Sequence, residues 1–215
     1  MNKKIQSLST FSLNTENPFM KQTLVQVGDF LTTRRITATN QDESSIAVGV
    51  DPKTGEVLGH TLFARTKVVD SETFCKVYKI GFSAFADMTT SSMKVFQYIL
   101  GLVRPTSDEF VMTSEEVCTA TGYTKMTIYR ALGALCTKGI IARGKSDTHY
   151  FINPMYIFNG DRVTFMTTWI NENCPEKYKT NTTGLKGTID IMKTDGFLPS
   201  DKESKQLELP FLDKI

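Results

Sequence analysis

Apolar and polar positions follow a helical period in some stretches of the chain and a strand-like one in others, and the changes mark out elements. From Met93 to Val103, Val95, Phe96, Ile99, Leu100 and Val103 recur at helical spacing. Ser91 or Ser92 stands where an N-cap belongs, and Pro105 stops the helix. Thr113–Glu116 (TSEE) fits a capping box, and the short helix that it opens ends at Gly122, placed for a left-handed conformation. Thr124 caps a further helix in which Ile128, Ala131, Leu132 and Leu135 fall at i, i+3, i+4 and i+7. Gly139 ends that helix. Ile140–Ala142 begins a strand, Arg143–Asp147 (RGKSD) is a polar turn, and Thr148–Ile152 is the return strand. Helix, tight turn, helix and two-stranded ribbon is the layout of a winged helix-turn-helix.

The N-terminal half has a different pattern. Residues 1–19 are polar and read as a poorly ordered arm. Residues 23–36 (TLVQVGDFLTTRRI) are rich in β-branched side chains and suggest one or two strands. Ile46–Val50, Val57–Val69 and Thr73–Ile80 extend the set to a small antiparallel sheet, with DPKTGE (51–56) as a turn. Phe82–Met88 fits a short helix. Beyond the ribbon, Asn153-Pro154 either caps a new helix or makes a plain turn. Arg162–Asn171 offers Val163, Met166, Trp169 and Ile170 as a stripe that docks on the winged helix or on a second copy of the chain. From Glu172 the composition is linker-like, with no core element expected before about Lys205. The predicted fold is α+β, a winged helix-turn-helix domain preceded by a small antiparallel β-rich region. It divides into a flexible arm (1–20), a β-rich region (21–88), a winged-helix DNA-binding domain (89–171) and a flexible tail with a partner-binding peptide (172–215).

Composition narrows the function classes. At 215 residues, 40% hydrophobic and 22% charged, the chain suits a soluble globular protein with one core and a small appendage. The formal net charge is only +2, so any case for nucleic acid must be local. That local case exists: Thr124–Ser146 holds five basic residues, Lys125, Arg130, Lys138, Arg143 and Lys145, and no Asp or Glu. With Ile128 and its companions turned inward, Thr124, Lys125, Thr127, Tyr129 and Arg130 are left for the major groove of double-stranded DNA. Arg130 is the first choice for a two-point contact with guanine, and Arg143 and Lys145 for phosphates. Tyr129 either touches DNA or packs against the wing. His149 reads as a strand-surface residue.

Catalysis and metal binding find no footing in the sequence. The four cysteines (75, 118, 136, 174) have no CxxC spacing, and the two histidines, His60 and His149, lie far apart. There is no P-loop and no nicking His cluster. The expectation is a non-enzyme without metal or cofactor. No segment is a signal peptide or an uninterrupted apolar span, so a cytoplasmic location without a membrane partner is expected.

After the ribbon the chain reads Tyr150–Gly160 (YFINPMYIFNG), then Asp161-Arg162. A winged helix leading into an apolar-Asn-Pro-x-apolar-apolar segment and a glycine resembles the RepL family of bacterial plasmid replication proteins. FCKVYKI and SSMKVFQYIL sit where that family has comparable elements. The resemblance spans about residues 55–170 and implies a replication initiator that binds origin DNA, with no catalytic centre. A transcriptional regulator using the same module is the alternative. In the tail, Gln206–Leu212 (QLELPFL) is similar to peptides that bind the bacterial sliding clamp. That likeness implies that Leu207, Leu209 and Phe211 fill an apolar pocket beside Leu212, with Gln206 bonding at its edge. Phe211 departs from the Leu that often follows Pro there. Folding of the tail back onto the body is the other reading.

Overall fold

The computed structural model describes residues 6–32, 48–50, 54, 57–60, 75–86 and 88–199. The chain divides into two compact units, Thr32–Thr73 and the remainder. In the smaller unit β1 (Val48–Val50) pairs antiparallel with β2 (Val57–His60), with an irregularity between Gly49 and Val50. The strand expected over 57–69 is described only as far as His60.

The larger unit carries the predicted winged helix. α3 (Thr90–Leu102), α4 (Ser114–Thr121) and α5 (Lys125–Thr137) pack together beside an antiparallel sheet. Its strand order is β4 (Glu109–Val111), β6 (His149–Ile152), β5 (Ile141–Arg143). Phe110 lies opposite Tyr150, and Arg143 also faces Tyr150 from the other side. Val95, Phe96, Ile99, Phe110, Val117, Ile128, Leu132, Leu135, Ile140, Ile141 and Ile152 close one core. The helical stripes read from the sequence are therefore the buried faces. Two details differ: Thr89 is the N-cap of α3, accepting from Ser92 N, and the link 106–112 contains β4.

Elsewhere the structure corrects the sequence reading. Residues 23–30 belong to α1 (Met20–Phe30), a helix. Met20, Thr23, Leu24, Val27 and Gly28 recur at helical spacing and are buried, and this outweighs the β-branched content. Of the strand expected over 73–80, residues 73–74 lie outside the described residues; among the described ones Lys76–Val77 (β3) is strand, pairing with β7 (Ile157–Phe158), and α2 (Lys79–Phe85) starts where the strand was to continue. Asn153-Pro154 opens a turn into β7, not a helix. Asn153 accepts from Met155 N at 3.0 Å and donates to Gly139 O at 2.9 Å.

Glu172 does not begin a structureless tail. α6 (Arg162–Asn173) is followed by a 3-10 turn (Glu176–Tyr178) and by α7 (Leu185–Thr194). Leu24, Val25, Val27, Met166, Ile170, Tyr178, Leu185, Ile189 and Met192 form a second core. The stripe on α6 thus meets α1 and α7, while Phe165 reaches Phe158 of β7 with ring centroids 4.8 Å apart. Residues 6–19, expected to be loose, are docked. Leu8 joins the first core, Asn14 donates to Arg143 O at 2.8 Å, and Asn17 donates to Ile152 O at 2.9 Å. Among the described residues no helix is long and apolar enough to cross a membrane.

Candidate nucleic-acid interface

The turn between α4 and α5 is set by three local devices. Thr113 and Glu116 make a reciprocal capping box that fixes the start of α4. Gly122 adopts φ 75°, the left-handed cap that a side chain would strain. Thr124 accepts from Thr127 N and starts α5. Thr124 and Thr127 also join their hydroxyls at 3.0 Å. With Ile128, Ala131, Leu132 and Leu135 turned into the core, the N-terminal half of α5 presents Lys125, Met126, Tyr129 and Arg130 outward.

Charge on this face is less one-sided than the sequence suggests. Lys125 pairs with Glu115 on α4. The hydrogen bond from Lys125 holds the Glu115 carboxyl below the usual carboxylate range, and the same contact pushes Lys125 up. Both partners are more than half exposed, so the pair adds little stability and is open to exchange. Tyr129, 43% exposed, directs its hydroxyl to Ser114 Oγ at 3.5 Å, at the N-terminus of α4. Arg130 is exposed and has no hydrogen-bond partner among the described residues.

Besides Lys125, two more of the five expected cations are bonded within the protein. Arg143, expected on phosphate, has a side chain only 14% exposed. It donates to Phe11 O at 2.8 Å and pairs with Asp147, so it ties the N-terminal segment to the wing. Lys138 lies at the far end of α5, about 20 Å from Lys125 by helical rise, and donates to Ala86 O at 2.5 Å. Lys145 remains exposed at the wing tip. The tip is tightly built: Gly144 N donates to His149 O at 2.7 Å, and a Cβ on Gly144 would stand 1.7 Å from His149 Nδ1. His149 in turn meets Glu109 Oε2 at 2.9 Å. The sequence reading missed Glu115, which lies outside the window of basic residues, and Met126, whose 61% exposure only the helix phase reveals.

The N-terminal segment limits the face. A Cβ on Gly133 would stand 2.5 Å from Gln6 O, so residues 6–8 run directly over the C-terminal half of α5. Burial pushes the Cys136 thiol up to about 12, and it does the same to Tyr150. Among the described residues no group of three or more His, Cys, Asp or Glu could hold a metal ion. Gln206, Leu207, Leu209, Phe211 and Leu212 lie outside the described residues.

Comparison with known proteins supplies the biological setting. A 20.9 kDa protein of Zymomonas mobilis subsp. mobilis is 28% identical over 164 residues, which cover 71% of this chain and 85% of that relative. No solved structure matches. The model of the Firmicute plasmid replication protein family, RepL, matches residues 32–186, extending beyond 55–170 at both ends. That span takes in the small unit, the winged helix, α6 and the start of α7, and the chain belongs to the RepL family of plasmid replication proteins.

Proposed function

We propose that the protein initiates plasmid replication by binding double-stranded origin DNA, with the N-terminal half of α5 in the major groove and the wing tip on the backbone. The observation that carries this reading is the outward pair Lys125 and Arg130, on a helix whose opposite face is core. Arg130 reads guanine through its planar fork, worth about 1–3 kcal/mol of discrimination. Lys125 exchanges Glu115 for a phosphate, Lys145 meets a second phosphate, and Thr124 and Thr127 lie at the helix N-terminus, where phosphate is favoured. Recruitment of the replication machinery, the sliding clamp first, falls to Gln206–Leu212, supported by its QLELPFL pattern.

The test uses duplex DNA from the region flanking the gene on its plasmid. Arg130→Ala is expected to lose roughly ten- to hundredfold in specific affinity, whereas Lys125→Ala weakens binding to all sequences alike. Wild-type affinity in both variants would remove α5 as the reading helix. Deleting 206–215 should leave DNA binding intact while abolishing clamp capture and plasmid maintenance; unchanged capture would rule out the tail as the recruiting peptide.

A further inference from the structure

Met126 is an apolar side chain on a polar face. It is 61% exposed on the first turn of α5, next to Lys125 and one turn before Arg130. Exposed apolar side chains are common, and exposure alone says little. The surroundings of Met126 say more. It packs into neither hydrophobic core. The following turn of the same face is closed at Gly133 by the backbone of Gln6. The open part of α5 is therefore four side chains wide: Lys125, Met126, Tyr129 and Arg130. Two are cations, which favours a polyanion over an apolar protein surface as the occupant.

Resting on the DNA-binding reading above, we infer that Met126 is a specificity residue that contacts the C5-methyl group of a thymine in the major groove. Among the base edges there, thymine alone offers a methyl group, and small apolar contacts discriminate it. A thioether side chain is flexible and polarisable enough to cover that methyl without a fixed geometry. Met126 and Arg130 are four residues apart, about 6 Å along the helix axis. Bases on one strand are about 3.4 Å apart. The thymine read by Met126 thus lies within about two base steps of the guanine read by Arg130.

The experiment selects duplexes from a randomised pool with the full-length protein, then replaces each thymine of the selected site by deoxyuridine, which lacks only the methyl group. At one position, within two base steps of the guanine that Arg130→Ala no longer selects, uracil should weaken wild-type binding about fourfold, the worth of one buried methyl-sized group. Met126→Ala should be indifferent to that replacement, and Tyr129→Ala should remain sensitive to it. Three results overturn the assignment while leaving DNA binding in place: uracil tolerated at every position, the same uracil penalty in Met126→Ala, or loss of the penalty in Tyr129→Ala instead. Failure of the wild-type protein to enrich any sequence would sink sequence-specific DNA reading itself, and this inference with it.

Discussion

Asn17 joins three segments with one side chain. It donates to Ile152 O at 2.9 Å and to Asp108 Oδ2 at 2.8 Å, and accepts from Phe19 N at 2.9 Å. Asn17→Ala would leave Ile152 O unmet in a buried place and take a partner from two half-buried groups, at about 1–3 kcal/mol for a buried polar group left unmet. A stability loss of about 3 kcal/mol is expected in urea denaturation. Its pH dependence has a definite sign. Burial raises the Asp108 carboxyl above its usual value, and the hydrogen bond from Asn17 opposes that rise. A raised folded value means stability is fully present at acidic pH and declines as Asp108 ionises with rising pH. Asn17 supports the ionised form, so its removal should cost more at pH 7 than below the carboxylate range. Equal losses at both would show that Asn17 does not act on the Asp108 charge.

Helix α5 has two halves, one facing out and one covered by the N-terminal segment. Glycine in a helix normally costs about 1 kcal/mol relative to alanine. At Gly133 the sign should reverse, because the added Cβ would meet backbone, Gln6 O, at 2.5 Å. Gly133→Ala is therefore expected to lower stability and to speed proteolysis within residues 6–17; a stabilised variant would contradict the docking of that segment. The covered half also shows what could be read from sequence. α3, α4 and α5 were legible because capping residues and a clear apolar period agree, as at Thr113, Gly122 and Thr124. α1 and α7 were hidden by β-branched, Thr-rich and Lys-rich composition, although Leu185, Ile189 and Met192 keep helical spacing. The fates of Lys138 and Arg143 were not legible at all. Their acceptors, Ala86 O and Phe11 O, lie 52 and 132 residues away, and a window of neighbouring charges cannot register them. Ser114 and Glu115 come close to Tyr129 and Lys125 for the same reason: the fold, not the sequence, sets them side by side.

For the molecule as a whole, a net charge of +2 leaves affinity for DNA to a few local cations. Each phosphate neutralised on duplex DNA contributes about −0.9 to the slope of log affinity against log salt. With Lys125 and Lys145 on phosphates, each bound protomer should show a slope of about −2; engagement of all five basic residues would give about −4.5. A salt titration of binding separates the two, and the steeper value would mean that Arg143 and Lys138 leave their internal partners. The docked N-terminal segment has one more consequence, in time. Its bonds to the wing and to β6 span 129, 132 and 135 residues of chain. On a ribosome adding about 5–20 residues per second, the segment emerges roughly ten seconds before the strands that receive it. The three-helix core can close on local contacts in that interval, whereas the wing is secured only when the segment returns. A nascent chain thus acquires α5, with Lys125 and Arg130 on it, before it acquires a secured wing, and a chain stalled before Ile152 would carry the proposed reading helix without a complete β6 or first core.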